Sequence, residues 1–280
     1  MLTDARLQSL ADRLSGVPGV VGVTLGGSRA RGTHAADSDV DLGLYYRGAL
    51  DIVALGELAR QVAGPAARVT RSGEWGPWVD GGGWLHIDGI AVDWIYRDLE
   101  RVTGVWADAQ QGRFAFHNQV GHPLGFADFA YPGELALGRI LADPSGELTR
   151  LRTTMQAYPP PLRDAVVTRT LWEAGFLVDI AAKALTRADT FYVAGCLFRA
   201  LGLCAHALHA HAGRWLINEK GSIDAAGALA AAPTDFADRA SGILAGLSRN
   251  PAQLRATLDA AGRLVDDARR ACDWESPEQR

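Results

Sequence analysis

The amino-acid sequence predicts an α+β fold, in which an N-terminal α/β domain is followed by an all-α helical bundle. Two observations predict this fold. Short apolar or alternating segments bounded by Gly or Asp, which are typical of strands, occur only in the first part of the chain. Segments with apolar residues at helical spacing fill the second part. We expect the two domains to span residues 1–125 and 126–280.

The first domain is expected to open with a helix, because Leu7, Leu10 and Leu14 are spaced to share one helical face. Strand-like segments then recur, and a loop rich in Gly and Trp precedes the last of them. Strands are predicted over residues 20–25, 39–46, 68–70 and 91–96, and a helix is predicted over residues 50–63.

The second domain is expected to contain three long helices, over about residues 162–185, 197–208 and 254–272. Asn250-Pro251 predicts the start of the last one, because Asn is a favoured N-cap and Pro a favoured first helical residue. Asp143-Pro144 predicts a similar start for an earlier helix.

The composition narrows the class of protein. With 280 residues, 48% of them hydrophobic and 21% charged, the chain is ordinarily globular, which excludes disorder and coiled coil. It has no apolar run of about 18 residues, and its start does not resemble a signal peptide. We therefore expect a cytoplasmic protein with no membrane span. The three cysteines lack CxxC spacing and are expected to be buried thiols.

The charge distribution favours a small substrate. Residues 1–112 hold 10 Arg against 14 Asp and Glu, so this part carries the whole net charge of −4. Proteins that bind long nucleic acid through its phosphates present a basic face. The sequence therefore predicts that nucleic acid is not the partner.

The informative segment joins a glycine–serine corner to two closely spaced aspartates. Gly27-Ser28 follows the first predicted strand, and after ten more residues Asp39 and Asp41 lie at i and i+2 on the second. Residues at that spacing face one side of a strand, so the two carboxylates repel each other unless a cation lies between them. Mg²⁺ suits such a site because it prefers oxygen ligands and leaves positions for substrate phosphates.

Asp93 is the candidate for a third carboxylate, because it interrupts an apolar strand where an unpaired charge would be costly. If that strand runs beside the strand of Asp41, the aspartates could hold two metal ions for an in-line displacement at phosphorus. The candidates for binding the phosphates are the backbone at Gly27, the Ser28 hydroxyl and the charge of Arg29.

This pattern resembles the nucleotidyltransferase superfamily that includes DNA polymerase beta, and especially its small bacterial antibiotic-modifying members, which have a C-terminal helical domain. The similarity rests on Gly27-Ser28, the pair Asp39 and Asp41, and the distant Asp93, and it covers residues 25–97. It implies a catalytic domain with a mixed sheet, followed by a helical bundle that closes over the cleft.

The resemblance also implies a reaction. A nucleoside monophosphate would pass from an NTP, with ATP the first choice, to a hydroxyl of a small acceptor, and pyrophosphate would leave. Two Mg²⁺ ions held by Asp39, Asp41 and Asp93 are the implied cofactors, and an aminoglycoside-like antibiotic is one suitable acceptor. Related enzymes often pair their subunits, so the resemblance leaves a homodimer open.

Three further features lie outside the motif. Glu74 is a candidate general base for the acceptor hydroxyl. The nearby Trp75, Trp78 and Trp84 either pack in the core or stack on a nucleobase or acceptor. Lys220 either contacts a phosphate or lies in an ordinary turn at a helix end.

Two other functions compete with transfer to a small molecule. The first keeps the chemistry but uses a protein acceptor, as in an antitoxin-like AMP transferase. The second is a non-catalytic nucleotide-sensing module that keeps the fold. The Arg199-x6-His206 spacing also resembles that of HEPN-type ribonuclease bundles, but many helices contain such a pair.

Overall fold

The structure, a computed structural model, describes residues 3–32 and 38–275 and divides into two compact units. The first unit comprises Met1–Ala107 with Ala115–Ala157, and the second comprises Asp108–Phe114 with Tyr158–Arg280. The predicted α+β class is confirmed. The first unit contains strands and helices, whereas the described residues of the second unit form helices, turns and loops.

The first unit alternates strands and helices along the chain. Its strands are β1 (Val20–Leu25), β2 (Val40–Tyr46), β3 (Gly82–Ile87), β4 (Ile90–Asp98), β5 (Phe116–Gln119), β6 (His122–Ala127) and β7 (Arg139–Ala142). Its helices are α1 (Asp4–Ser15), α2 (Gly27–Arg31), α3 (Ile52–Ala63), α4 (Leu99–Ala109, which ends in the second unit), α5 (Ala130–Leu137) and α6 (Glu147–Met155).

In the described part of the chain, the strands form a five-stranded sheet of order β3-β4-β2-β1-β7 and a separate β5-β6 hairpin. The larger sheet is mixed, as predicted, because β2 and β4 are parallel and its other neighbouring pairs are antiparallel. Its apolar face packs on α1 and α3 in a core that includes Leu44, Trp94 and Leu55. Since alternate residues of a strand face opposite sides, the other face carries Asp41 and Asp93.

Several of the strand predictions are wrong. Residues 68–70 form no strand, although the Thr70 N–H donates to the Gly82 carbonyl at 2.8 Å. Strand β3 occupies part of the segment predicted to be a loop, because its glycines mask the alternation of Trp84, Leu85 and His86. The short strands β5, β6 and β7 are also missed.

The compact units divide the chain differently from the predicted domains, 1–125 and 126–280. Residue 125 lies inside β6, and the chain then continues in the first unit through α5, β7 and α6. Strand β7 pairs with β1 at the edge of the sheet. A pairing between such distant segments is not visible in local periodicity, so the sequence gives no signal for it.

The second unit is built from helices. They are α7 (Pro160–Ala182), α8 (Thr190–His211), α9 (Ser222–Gly227), α10 (Phe236–Ala245) and α11 (Pro251–Ala271). The three long predicted helices are confirmed as α7, α8 and α11. Asn250 caps α11 as expected, because its side chain accepts hydrogen bonds from the N–H groups of Ala252 and Gln253.

The predicted start at Asp143-Pro144 is displaced. Helix α6 begins at Glu147 after Gly146. The Asp143 carboxylate nevertheless accepts hydrogen bonds from the N–H groups of Leu148 and Thr149, at 3.3 and 2.8 Å. It therefore satisfies donors of the first helical turn from a position outside the helix.

Helix α8 is the one described helix long and apolar enough to cross a membrane by length and composition. The sequence shows no unbroken apolar run here, because Arg199 and the histidines interrupt the apolar residues. Within the protein, 67% of its most apolar window is buried, which is typical of a core helix.

All three cysteines are free and buried, as expected.

Candidate active site

Two of the predicted aspartates lie side by side on neighbouring strands. The parallel pairing of β2 with β4 places Asp41 opposite Asp93, and both residues are half-buried. Residues that lie opposite each other on adjacent strands share a face of the sheet. Leu42 and Trp94, the next residues along, are fully buried on the other face, so the core fixes which way the two carboxylates project.

The glycine–serine corner contacts one member of this pair. The Gly26 N–H donates to the Asp41 carbonyl at 2.8 Å, and α2 begins at Gly27 with a φ of 61°. A Cβ at position 27 would overlap Asp41 Oδ2, so any residue larger than glycine would displace that carboxylate. Gly27 and Ser28 thus lie in the turn of chain directly beside the Asp41 carboxylate.

Asp39 and Arg29 lie at the entrance to β2. Asp39 is exposed and precedes the first residue of the strand. The Arg29 guanidinium donates to the Ser38 carbonyl at 2.7 and 3.0 Å and to the Asp39 carbonyl at 3.2 Å. Arg29 therefore holds the segment that leads into the aspartate pair.

The complete set of three aspartates is not assembled as a metal site. Within residues 3–32 and 38–275, no group of three or more His, Cys, Asp or Glu side chains is placed to hold a metal ion. The structure brings Asp41 and Asp93 together on one face. A shared role with Asp39 stays a prediction.

An ion pair with a buried arginine lies on the same face of the sheet as the two aspartates. Arg97 follows Asp93 by four residues on β4 and is only 5% exposed. Its guanidinium donates to both carboxylate oxygens of Glu134 on α5, at 2.5 and 2.8 Å. Burial alone lowers the pKa of Arg97, but the Glu134 carboxylate outweighs it and the net pKa is raised. The sequence carries no signal for this pair, because its members belong to distant segments.

The predicted tryptophans have different environments. Trp84 lies opposite Asp93 in the β3-β4 pairing, is 71% exposed and stacks on Trp75 with ring centroids 4.5 Å apart. Trp78 instead packs between His117, at 3.6 Å, and neighbouring aromatic rings. Glu74 is exposed in the turn that leads to Trp75.

The segment that carries the glycine–serine corner and two of the aspartates matches a known family. Residues 7–68, which contain Gly27, Ser28, Asp39 and Asp41, match the model of the nucleotidyltransferase domain family. This part of the chain belongs to the nucleotidyltransferase superfamily. Asp93 lies beyond the matched residues of the nucleotidyltransferase domain and is joined to it by strand pairing.

Other comparisons add little about chemistry. Residues 133–220 match a domain of unknown function, DUF4037. A nucleotidyltransferase-like protein from Exiguobacterium sibiricum 255-15, solved as a crystal structure, is 10% identical, with a TM-score of 0.48 over 95% of this chain and 78% of that chain. No curated protein matches the chain.

Lys220 lies outside the nucleotidyltransferase domain. It is exposed in the second unit, in the turn before α9, where its N–H donates to Asn218 Oδ1 at 2.9 Å. A phosphate contact by Lys220 stays a prediction.

Arg199 and His206, whose spacing resembles that of HEPN-type ribonuclease bundles, both have structural surroundings that explain them. Arg199 pairs with Glu173 at 2.6 Å, and His206 is buried.

Because His206 is buried, we expect the second unit to lose stability in acid. Burial and the nearby His209 lower its pKa to about 3. Below pH 6.5 the unfolded chain binds a proton at this residue and the folded chain does not, so stability falls as the pH falls. We expect a loss of about 2 kcal/mol from His206 between pH 7 and pH 5.

Denaturant unfolding at several pH values measures this effect. His206→Gln should flatten the pH dependence, because glutamine has no proton to bind in this range. His209 is present in both proteins, so the difference between them reports His206 together with its interaction with His209. Equal pH slopes in the two proteins would contradict the prediction.

Proposed function

We propose that the protein transfers a nucleoside monophosphate from an NTP, with ATP the first choice, to a hydroxyl of a small acceptor. One observation carries the proposal. Asp41 and Asp93 lie side by side on one sheet face, and the Asp41 carboxylate packs against Gly27 in the glycine–serine corner. That arrangement joins two acidic ligands to a backbone turn suited to phosphate groups.

The chemistry of the two aspartates fits Mg²⁺. Their carboxylates are hard oxygen donors, and their mutual repulsion is relieved by a divalent cation. Asp41 and Asp93, together with Asp39, would hold two such ions. Bound Mg²⁺ would neutralise charge on the triphosphate. Gly27 and Ser28 would orient the phosphates from the corner.

The proposed reaction forms one bond to phosphorus, breaks another and releases a proton, which the protein must accept. A bond forms between the acceptor oxygen and the α-phosphorus, and the bond from that phosphorus to the α–β bridging oxygen breaks. Pyrophosphate leaves with the electron pair of the broken bond. The hydroxyl proton passes to a carboxylate, for which we propose Glu74, exposed beside Trp75.

The acidity of residues 1–112 supports a cationic acceptor. A negative field attracts cations and repels polyanions such as nucleic acid. An aminoglycoside-like compound, which carries both hydroxyl and ammonium groups, has the required chemistry. We therefore place such compounds first among the acceptors to be tested.

A pyrophosphate-release screen tests the proposal. The four common NTPs are combined with hydroxylated antibiotics, sugars and metabolites in the presence of Mg²⁺. We expect release with at least one pair, and a rate more than about 100-fold lower in Asp41→Asn, because even outer-shell changes at metal sites cost about 10- to 100-fold.

Asp88→Asn is the matched control. Asp88 lies in the exposed turn between β3 and β4, has a φ of 53° that asparagine also tolerates, and pairs with Arg6 at 3.3 Å. It should leave the rate unchanged. Binding of Mg-NTP with no pyrophosphate release across the panel would contradict the proposal, and labelling of a protein by radioactive ATP would indicate a protein acceptor instead.

A further inference from the structure

An exposed tryptophan stack adjoins the aspartate pair. We call Trp84 and Trp75, with ring centroids 4.5 Å apart and planes 15° apart, the tryptophan platform. Opposite residues of an antiparallel pair share a face, so Trp84 lies beside Asp93 on the polar face of the sheet. A tryptophan that is 71% exposed contributes little to a core, so packing alone does not explain its position.

The platform is held in place from one side. Trp75 lies over Gly82, where an added Cβ would come within 2.9 Å of its ring. The Trp75 carbonyl accepts a hydrogen bond from Gln119 Nε2 at 2.8 Å, and Gln119 is itself buried. Trp75 therefore covers the Trp84 face nearer Gly82. Because Gly82 and His86 flank Trp84 on the same face of β3, we infer that the uncovered face of the Trp84 ring is on the His86 side.

The open ring face and the glycine–serine corner lie at the same end of the sheet. Strand β3 ends there at Ile87, β1 ends there at Leu25, and the parallel strands β2 and β4 both begin there. Across the sheet, the strand order places the corner on the β1 side of the aspartate pair and Trp84 on the β3 side. The two features therefore flank Asp41 and Asp93.

In-line transfer at phosphorus requires the attacking oxygen and the leaving pyrophosphate to lie on opposite sides of the phosphorus. In the proposed function the phosphates lie at the glycine–serine corner. The acceptor then lies on the far side of the aspartates, where the tryptophan platform is.

We propose that the tryptophan platform is the acceptor subsite, and that it selects a hydroxylated acceptor presenting the flat face of a ring. This inference rests on the proposed function and names its substrate class. An indole face binds apolar ring faces and cations, because its π electrons make that face negative. The carboxylates of Asp93 and Glu74, near the two rings, favour ring acceptors that also carry ammonium groups.

The test separates acceptor binding from nucleotide binding. The ring probes are kanamycin and methyl β-D-glucopyranoside, and the acyclic probes are glycerol and sorbitol. Trp84→Ala should raise the KM for a ring acceptor at least about 10-fold, equivalent to about 1.4 kcal/mol, and leave the KM for NTP unchanged. Trp84→Phe should restore much of the affinity, because a flat ring is retained.

Trp172→Ala is the matched control, because Trp172 is also exposed, at 48%, and stacks on Phe176 in the second unit. It should change neither KM. A rise in the KM for NTP alone in Trp84→Ala would overturn the inference and assign the platform to the nucleobase. Equal use of acyclic and ring acceptors would also overturn it.

Saturation-transfer NMR with the same probes reports binding without turnover. Ring binding that is lost in Trp84→Ala, in a protein that releases no pyrophosphate with any panel member, would keep the subsite and refute the proposed function. Absence of ring binding to the wild-type protein, in the presence of Mg-NTP, would refute the subsite. The two failures are therefore distinguishable.

Discussion

Replacing Gly27 with alanine is expected to lower the rate of pyrophosphate release more than about 100-fold, since a misplacement of about 1 Å at a reacting centre can cost that much. The added Cβ would overlap Asp41 Oδ2, so the carboxylate must move from its place beside Asp93. The effect should appear in kcat, because the displaced group acts on the reacting phosphate.

Gly32→Ala separates this displacement from backbone strain. Gly32 ends the same helix, α2, with a φ of 70°, and an added Cβ there would have no atom within 4 Å. Both substitutions place alanine in the left-handed region, which costs about 1–2 kcal/mol. Steady-state rates of the two variants should therefore differ widely while their stabilities stay close. Similar rates in both variants would contradict the assigned role of Gly27.

Breaking the largely buried ion pair of Arg97 and Glu134 is expected to cause the largest loss of stability. Arg97→Met leaves the half-buried Glu134 carboxylate without its bidentate partner. Removing one member of a fully buried pair costs about 3–5 kcal/mol, so the loss here should lie near or below the lower end of that range. The loss should appear as a lower midpoint in denaturant unfolding. Arg97→Met combined with Glu134→Leu should recover much of it, because no unpaired charge remains.

The exposed pair of Arg6 and Asp88 provides the comparison. Its side chains are 63% and 44% exposed at an N–O distance of 3.3 Å, so water and salt screen the interaction. Arg6→Met should leave the unfolding midpoint nearly unchanged. Equal midpoints for Arg6→Met and Arg97→Met would show that the buried pair contributes no more than a surface pair.

The sequence predicts elements well where one local pattern decides them. Helix α1, strand β1 and the capped helix α11 all follow from periodicity and capping residues within a few positions. Strand β3 is not predictable in this way, because three consecutive glycines precede its alternating residues. Strand β7 is short and exists because β1 offers an edge to pair with, which is a tertiary cause that periodicity does not record.

In the candidate site, too, some features follow from local sequence and others depend on strand pairing. The Asp39 and Asp41 spacing and the glycine–serine corner can be read locally, and they lie in the segment that matches the nucleotidyltransferase family. The neighbouring position of Asp93 was conditional on strand order, which the β2-β4 pairing supplies. The contact between Arg97 and Glu134 joins residues 37 positions apart and had no signal in the sequence.

A double-mutant cycle on Asp41 and Asp93 tests the central claim most directly. Pyrophosphate release is measured for the wild-type protein, for Asp41→Asn, for Asp93→Asn and for the double variant, with Asp88→Asn as control. If the two carboxylates serve one shared site, each single change abolishes most of the activity and the double variant is no slower than the slower single variant. Losses that multiply in the double variant, or wild-type rates in either single variant, would contradict the account.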